Sequence, residues 1–511
     1  MRFLLACLCA SLLMGCGSMP LPEGRSVSTA LPEAETHGTA LGRAIAPLAA
    51  AHPGRSGIFS LSDAREAFAA RVLLARAAER TLDVQYYIWR PDTTGTLLLE
   101  ALHDAANRGV RVRLLLDDNG TAGMDQLLAA LDAHPLVEVR LFNPFRVRSP
   151  KWLGYLTDFS RANRRMHNKS FTADNQATIV GGRNVGDEYF GATEGVLFAD
   201  LDVLAAGPVV PQISQDFDRY WESASAYPAA QVLPAVDAAQ LQALRTRARS
   251  VESDPRAAAY VEAVRALPFV QDLVQGRLAL HWAPTRMVSD DPAKGLGQAR
   301  DGSLMLRQLT AILGQPARHV DLVSPYFVPT AAGVEAFEAL RARGVQVRIL
   351  TNALEATDVA AVHAGYARHR QRLLQAGVEL YELRRQAASG EAKMKTGPFG
   401  SSGSSLHAKT FAVDGQHVFV GSFNFDPRSI HLNTELGFVI DSPALAQRVD
   451  DAFDGPVPAQ SYTVGLDARG ALVWTEQVDG QAVRHTTEPG ASIWKRAGVV
   501  VLSWLPIEWL L

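Results

Sequence analysis

Two copies of one short pattern contain the residues of this chain best suited to chemistry. Each copy has His-x-Lys, four residues, Asp, six residues and then Gly-Gly/Ser-x-Asn. The candidate residues are His167, Lys169, Asp174, Gly182 and Asn184 in the first copy, and His407, Lys409, Asp414, Ser422 and Asn424 in the second. At about one in twenty per fixed position, two chance matches in one chain are improbable.

The spacing predicts a β-hairpin in each copy, with its turn at Asp174-Asn175 or Asp414-Gly415. Residues i and i+2 of a strand share one face, about 7 Å apart, so we expect the His and Lys of each copy to point the same way. If the two copies face each other, one cleft holds two imidazoles, two ammoniums and two carboxamides. Lysine and asparagine suit the non-bridging oxygens of a phosphodiester, and two histidines can divide the nucleophile and acid roles.

A metal site is the competing interpretation of two histidines in one cleft. Each copy supplies a single histidine that is followed by a lysine, and an ammonium is a poor neighbour for a divalent cation. We therefore predict that the site uses no metal and no cofactor.

A longer repeat surrounds the two motifs. Residues 80–118 and 318–352 each predict a strand, an amphipathic helix and a second apolar strand, and each copy has a matching third strand near 137–141 or 378–383. Near-continuous apolar strands joined by a helix indicate parallel pairing. The sequence therefore predicts an α/β fold with a duplicated lobe.

Composition narrows the class of protein further. The 511 residues are 47% hydrophobic, and 50 Lys+Arg against 53 Asp+Glu give a net charge of −3. A chain of this length buries more than one core, so two or more lobes are expected. A near-neutral balance disfavours a protein that grips long nucleic acids, so no nucleic-acid partner is predicted.

The N-terminus has the layout of an export signal. Arg2 precedes an apolar run from Phe3 to Met14, which is too short to span a membrane. All three cysteines, Cys7, Cys9 and Cys16, lie here, and the residues around Cys16 resemble the bacterial lipobox. That resemblance implies lipidation of Cys16, and Gly17 after it implies an outer-membrane lipoprotein on the periplasmic face of the envelope.

The predicted domains follow from these patterns. They are a signal peptide (1–15), a lipid-anchored tether (16–56), a first lobe (57–222), connecting helices (223–268), a second lobe (269–455) and a C-terminal hairpin with an apolar tail (456–511). The last 14 residues are too few to span a membrane. They are interpreted as a packed core strand, with an interfacial foot as the alternative.

The duplicated motif resembles the signature of the phospholipase D superfamily, over nearly the whole exported portion. The resemblance implies two pseudo-twofold-related lobes, each a mixed β-sheet flanked by helices, with the active site at the lobe interface. It also implies a covalent phosphohistidine intermediate. His167 and His407 match the catalytic histidines, Lys169 and Lys409 the phosphate-binding lysines, and Asn184 and Asn424 the motif asparagines. Asp174 and Asp414 match the motif aspartates and are assigned a structural role at the turns.

The family also has an acidic residue eleven positions after the second motif asparagine, which orients a histidine. Glu435 stands there in the second lobe, whereas the first lobe has glycine at 195. Aligning the stretch that begins at Asp200 with the one that begins at Glu435 makes Asp200 the counterpart. Gly182 stands where the second copy has Ser422, so the halves are not equivalent. Two-motif relatives imply that His167 is the nucleophile, although the symmetry of the sequence does not decide it.

The substrate is predicted to be a membrane phosphodiester. The runs LDVQYYIW, GVRVRLLLDD and SFNFDPRS resemble bacterial cardiolipin synthases of the C type. This predicts a phosphatidyltransferase that passes a phosphatidyl group to the hydroxyl of a glycerophospholipid. A hydrolytic phospholipase D and a nuclease remain the alternatives. The expected partners are anionic and zwitterionic glycerophospholipids and a membrane surface.

Overall fold

The computed structural model describes residues 24–191, 198–237, 239–240, 242, 246, 249–251, 254–267, 269–385, 396–397, 400–401, 405–478 and 480–511. The predicted signal peptide and Cys16 lie outside these residues. Two large mixed sheets with flanking helices form the fold, which confirms the predicted α/β class with two lobes.

The strands of the first lobe form a nine-stranded sheet. In chain order they are β1 Ser56–Leu61, β2 Thr81–Ile88, β3 Arg111–Gly120, β4 Val137–Phe142, β5 Ser170–Ala173, β6 Ala177–Gly181, β8 Asp202–Ala206, β9 Ala226–Pro228 and β10 His281–Ala283, with the short β7 Phe198–Ala199 outside the sheet. Their spatial order is β10-β1-β8-β6-β5-β2-β3-β4-β9.

The second lobe repeats this order in a ten-stranded sheet. Its strands are β11 Thr285–Ser289, β12 His319–Val323, β13 Gln346–Asn352, β14 Glu379–Leu383, β18 Thr410–Val413, β19 His417–Gly421, β20 Leu436–Asp441, β21 Ser461–Leu466, β22 Leu472–Val478 and β23 Gln481–His485. The short strands β15 Thr396–Gly397, β16 Gly400–Ser401 and β17 Ser405–Leu406 lie outside it. The order β11-β20-β19-β18-β12-β13-β14-β21 matches β1-β8-β6-β5-β2-β3-β4-β9 strand for strand.

Pairing within each repeat follows the sequence pattern. β2, β3 and β4 are parallel to one another, as are β12, β13 and β14. The two motif hairpins, β5–β6 and β18–β19, are antiparallel. In each repeat a buried Asp–Arg pair bridges the first two parallel strands, Asp83 with Arg113 and Asp321 with Arg348.

Helices cover both sheets. The longer ones are Ala40–Ala51, Ala64–Ala77, Thr93–Asn107, Asp125–Asp132, Val209–Trp221 and Pro255–Ala266 on the first lobe, and Met305–Leu313, Thr330–Ala342, Ala360–Ala367, Pro443–Asp454 and Ile493–Ser503 on the second. Among the described residues, no helix is long and apolar enough to cross a membrane.

One apolar core joins the two lobes. It contains Val180 and Val203 from the first sheet together with Val418 and Phe438 from the second, all buried. Because close-packed apolar side chains resist relative sliding, this shared core fixes the distance and angle between the two motif hairpins.

The N-terminal segment differs from the predicted tether. Residues 24–55 pack on the first lobe, where Arg113 and Arg140 donate hydrogen bonds to the main-chain carbonyls of Ser28 and Ser26. The helix Ala40–Ala51 begins at an N-cap formed by Thr39 and buries Leu41. A composition rich in Ala, Gly, Pro and Ser suggested a linker, but arginines from distant strands satisfy its carbonyls and hold it in place.

Two other expected boundaries also differ from the structure. The second lobe was expected to begin at 269, yet Phe269 and Leu273 lie in the core of the first lobe, and β10 completes the first sheet. The apolar tail was expected to be a core strand and is instead the helix Ile493–Ser503, whose N-cap Ser492 accepts a hydrogen bond from the Lys495 N–H. The hairpin before it extends the second sheet as β21, β22 and β23.

Candidate active site

The predicted site residues meet where the two lobes join. His167 and Lys169 immediately precede β5, and His407 and Lys409 immediately precede β18, so they lie in extended segments next to the hairpins. Gly182 and Asn184 follow β6, and Ser422 and Asn424 follow β19. The prediction placed these residues on the strands themselves, whereas they lie one to three residues beyond the strand ends.

The two motif aspartates lie at the other end of the hairpins. Asp174 and Asp414 have positive φ angles of 53° and 56°, as the two-residue hairpin turn requires. The Asp174 carboxylate accepts hydrogen bonds from the N–H groups of residues 79–81, and Asp414 does the same for residues 317–319. Both carboxylates fix the hairpin to the start of the neighbouring strand, and neither lies against the histidines.

Each histidine is hydrogen-bonded to an acidic residue of the opposite lobe. His167 Nδ1 lies 2.8 Å from Glu435 Oε2, and His407 Nδ1 lies 2.5 Å from Asp200 Oδ2. All four side chains are buried. With Nδ1 occupied in this way, Nε2 is the nitrogen of each ring that can act on a substrate.

Main-chain hydrogen bonds across the lobes position these pairs. The N–H of His167 donates to the Thr434 carbonyl at 2.9 Å, and the N–H of His407 donates to the Ala199 carbonyl at 2.7 Å. Each acidic residue directly follows the residue whose carbonyl accepts. Asp200 and Glu435 are therefore equivalent under the pseudo-twofold axis, which is the alignment that the sequence suggested.

The exchange of glycine for serine between the two motifs has a steric reason. A Cβ atom at Gly182 would lie 2.1 Å from Asp200 Oδ1. In the second lobe the longer Glu435 leaves room for Ser422, whose hydroxyl donates to Glu435 Oε2. The first lobe thus pairs a short acid with glycine, and the second lobe pairs a long acid with serine.

The lysines raise the positive potential around both rings. Lys169 Nζ donates to the His167 carbonyl at 2.6 Å, and Lys409 Nζ donates to the His407 carbonyl and lies 2.8 Å from His407 Nδ1. Burial, reinforced by Lys169 and Lys409, holds the pKa of His167 well below its usual value. Burial and Lys409 likewise lower the pKa of His407, against the opposing effect of Asp200. Both shifts favour the neutral form of the imidazole in the free protein.

The two acidic partners differ in their protonation. Burial alone would raise the pKa of Asp200, but His407 and Lys409 lower it below its usual range. Burial raises the pKa of Glu435 to about 7, opposed by Lys169 and by the hydroxyls of Ser422 and Ser429. A neutral His407 thus faces an ionised Asp200, while Glu435 beside His167 titrates near neutral pH.

Sequence reasoning missed three residues of this site. The Tyr87 ring packs edge-on against His167 with centroids 5.1 Å apart, and the Tyr189 ring packs against His407 at 5.2 Å. The Ser429 hydroxyl donates to Glu435 Oε1 at 2.8 Å. Ser429 lies five residues after Asn424 and Tyr189 five after Asn184, so a strict alignment of the repeats would have singled out both positions.

The described residues offer little to a metal ion at this site. In the described part of the chain, the group of histidine and acidic side chains close enough to share an ion is His319 and Asp321 on β12 with Asp450 on the helix Pro443–Asp454. The guanidinium of Arg348 already bridges Asp321 and Asp450. The two catalytic candidates, His167 and His407, each have one acid and one lysine as neighbours.

Comparison with known proteins identifies the family. Residues 73–221 and 309–456 both match the family model described as "Cardiolipin synthase, PLD-like domain". Cardiolipin synthase C of Escherichia coli (strain K12) is 51% identical over 471 residues, covering 92% of this chain and 99% of that protein. An uncharacterized protein of Helicobacter pylori (strain ATCC 700392 / 26695) is 30% identical over 87% of this chain and 88% of its own length.

A solved structure supports the fold. Phosphatidylserine synthase from Haemophilus influenzae Rd KW20 superposes with a TM-score of 0.54 at 13% identity, covering 80% of this chain and 87% of that one. At this identity the likeness concerns the fold alone. Two matched repeats over more than half of the chain, with a 51% identical relative, show that this protein belongs to the cardiolipin synthase family of phospholipase D-like proteins.

Proposed function

We propose that this protein is a membrane phospholipid phosphatidyltransferase of the cardiolipin synthase kind. The observation that carries the proposal is the pair of cross-lobe His–acid contacts, His167 with Glu435 and His407 with Asp200, in one buried site. Two imidazoles with two adjacent ammoniums suit attack on a phosphodiester, because a neutral ring can attack while a protonated ring supplies a proton to the leaving group. The 51% identity to a cardiolipin synthase indicates which phosphodiester.

The reaction has two balanced steps. In the first, Nε2 of one neutral histidine attacks phosphorus, the bond from phosphorus to the headgroup oxygen breaks, and that oxygen leaves with the Nε2 proton of the other histidine, which enters this step as an imidazolium and leaves it neutral. In the second, that other histidine takes a proton from the hydroxyl of an acceptor glycerophospholipid, whose oxygen attacks phosphorus and releases the first histidine. Lys169, Lys409, Asn184 and Asn424 are proposed to bind the non-bridging oxygens throughout.

Hydrolysis by the same intermediate is the alternative, since water could replace the acceptor hydroxyl in the second step. Incubation with phosphatidylglycerol, with and without phosphatidylethanolamine, followed by lipid mass spectrometry separates the two. We expect cardiolipin as the product. If phosphatidic acid is the only product, the reaction is hydrolysis rather than transfer. If the lipids are unchanged, the proposal is contradicted and the substrate is another phosphodiester.

The reaction is predicted to be independent of metal ions, because Lys169 and Lys409 occupy the positions beside the two histidines. Dialysis against a chelator should leave the rate of cardiolipin formation unchanged within about twofold. If the chelator strongly inhibits the reaction and added Mg²⁺ or Zn²⁺ restores it, the prediction of metal independence is contradicted.

The pH dependence of kcat/KM should follow the ionisation of Lys409, the buried lysine of the second motif. Burial lowers the pKa of Lys409 to about 8, against the opposing effect of Asp200. The ammonium is present below that pH and is lost above it, so phosphate binding should weaken as the pH rises. We expect kcat/KM, which follows the free enzyme, to fall above about pH 8.

The Lys409→Arg variant tests that assignment. A guanidinium stays charged at every accessible pH, so the alkaline fall should move to higher pH even if the rate at pH 7 decreases. An alkaline limb that stays at the same pH in Lys409→Arg would assign the titration to another group.

Membrane association is proposed to involve Cys16. Acylation of this residue after export would place the protein on the periplasmic face of the envelope, with the outer membrane favoured by Gly17. Cys16→Ser should then shift the protein from the membrane fraction toward the soluble fraction. An unchanged distribution together with an unmodified N-terminal peptide would rule out lipidation.

A further inference from the structure

We propose that the outer face of the C-terminal segment, residues 493–505, docks the protein on the surface of a phospholipid bilayer next to the active site. The proposal rests on the proposed function for its choice of occupant. The surface takes no part in the chemistry. The test therefore distinguishes a failure of this docking proposal from a failure of the proposed function.

The C-terminal segment has an unusual distribution of side chains. Every exposed residue from Ile493 to Leu505 is apolar or glycine, and Trp494 and Trp504 are 83% and 76% exposed. A surface helix ordinarily turns its apolar stripe to the core and its charges to solvent. Here only Val499 is fully buried within the helix, against Leu354 and Ala364.

The charged residues of this helix point toward the protein instead. Lys495 Nζ donates to the Thr357 carbonyl at 3.3 Å. Arg496 Nη1 donates to the Thr487 hydroxyl at 3.1 Å and the Glu488 carbonyl at 3.2 Å. Two cations held against the protein and an apolar outer surface indicate a helix whose outward environment is not water.

The C-terminal segment is fixed rather than loosely appended. Glu488, just before the helix, accepts from His363 Nε2 at 2.9 Å and from Arg370, and Glu508, just after it, lies 2.6 Å from His369 Nε2. These contacts hold both ends of the segment on the second lobe. The apolar face is therefore presented in one orientation.

The first lobe carries a second exposed apolar group, Trp152, Leu156 and Phe159. The guanidinium of Arg428 connects the stretches of chain that follow the two groups. It donates to Asn163 Oδ1, four residues after Phe159, at 2.9 Å and to the Leu510 carbonyl, five residues after Leu505, at 3.1 Å.

The first-lobe group connects to His167 through a series of contacts. Tyr155 donates to Asn119 Oδ1 at 3.1 Å, Asn119 Nδ2 donates to the Tyr87 hydroxyl at 3.3 Å, and the Tyr87 ring packs on His167. Arg428 lies in the short helix Pro427–His431, whose Ser429 donates to Glu435. Contacts from both lobes thus connect these surfaces to the same site.

A bilayer fits this surface better than a second protein chain. Exposed tryptophans favour the boundary between headgroups and acyl chains, where their rings are buried and their N–H groups stay hydrated. A site that takes two phospholipids must draw them from a membrane, and surface docking of this kind requires no spanning helix.

The test uses the full-length protein with Cys16→Ser, so that no acyl chain at that residue contributes to binding. Flotation with vesicles of phosphatidylglycerol and phosphatidylethanolamine measures the fraction bound. We expect Trp494→Ser/Trp504→Ser to lower vesicle affinity by about tenfold or more. Leu136→Ser/Val483→Ser, which replaces exposed apolar residues elsewhere, serves as the matched control and should bind unchanged.

Two further measurements distinguish the explanations. Turnover of a water-soluble short-chain phosphatidylglycerol should be the same in all variants, because the site is untouched. Vesicle binding that is unchanged in the tryptophan variant would overturn the proposal. So would light scattering that shows a lipid-free dimer dissociated by the same substitutions, which would assign the face to a second copy. If no variant turns over any phospholipid, the proposed function fails while the binding result still decides the docking surface.

Discussion

Replacing either His167 or His407 by alanine is expected to abolish formation of cardiolipin, lowering kcat/KM by about 10⁴-fold or more. Each ring supplies a different half of the reaction, so neither can substitute for the other. The measurement is product formation from phosphatidylglycerol, with thermal unfolding to show that the variant is folded. Activity within tenfold of the unsubstituted protein in either variant would contradict the assignment.

The chain offers a matched control for these substitutions. His417 Nδ1 lies 2.6 Å from Asp441 Oδ1 at the turn end of the second hairpin, so it forms the same kind of pair outside the site. His417→Ala should retain activity while losing an equivalent contact. A comparable loss in this variant would show that the effect reports folding rather than chemistry.

An activated substrate can separate the two roles. A phosphatidyl ester of p-nitrophenol has a leaving group that needs no protonation, so its first step depends on the nucleophile alone. The variant that lacks the acid should recover release of p-nitrophenol, and the variant that lacks the nucleophile should not. Recovery in His407→Ala would make His167 the nucleophile, as the two-motif relatives imply.

Asp200→Asn is expected to cause the second-largest loss, about 10³-fold in kcat/KM. The Asp200 carboxylate is ionised because His407 and Lys409 lower its pKa. It accepts a hydrogen bond from the Nδ1–H of His407 and so leaves the Nε2 lone pair available to a substrate. An amide at this position can donate to Nδ1 instead and stabilise the wrong tautomer. The loss should appear in kcat more than in KM, because phosphate binding does not use this contact.

Glu435→Gln should be milder, with a loss of about tenfold near pH 7. The pKa of Glu435 is raised to about 7, so a neutral side chain is already populated there, and the Ser422 and Ser429 hydroxyls remain as partners. Asp441→Asn, in the pair outside the site, is the control for both. Equal losses in Asp200→Asn and Glu435→Gln would contradict the difference in protonation between the two carboxylates.

Much of the site could be predicted because it depends on local pattern. The hairpin turns at Asp174 and Asp414, the parallel strands around them and the positions of both histidines all follow from short-range spacing. Asp200 could be identified only by aligning the first lobe with the second. Its contact with His407 joins residues 207 positions apart in the chain, and no local sequence pattern predicts such a contact.

The structure of the C-terminal helix and of residues 24–55 depends on tertiary contacts, which local composition and propensity do not predict. Val499, Val500 and Val501 favour a strand by propensity, yet the Ser492 N-cap and packing on the helix Ala360–Ala367 make the segment helical. Residues 24–55 have no clear hydrophobic period, yet Arg113 of β3 and Arg140 of β4 donate hydrogen bonds to their carbonyls and hold them against the first lobe as a packed layer.

If Cys16 carries a lipid, that packed layer sets the largest distance between the enzyme and the membrane. Arg25 already donates to the Ser223 carbonyl on the first lobe, so nine peptide units separate the folded body from Cys16. Whatever conformation they take, they reach at most about 30 Å. A lipid at Cys16 would therefore confine the catalytic body to a thin shell above the bilayer, where its encounters with lipid become a search in two dimensions.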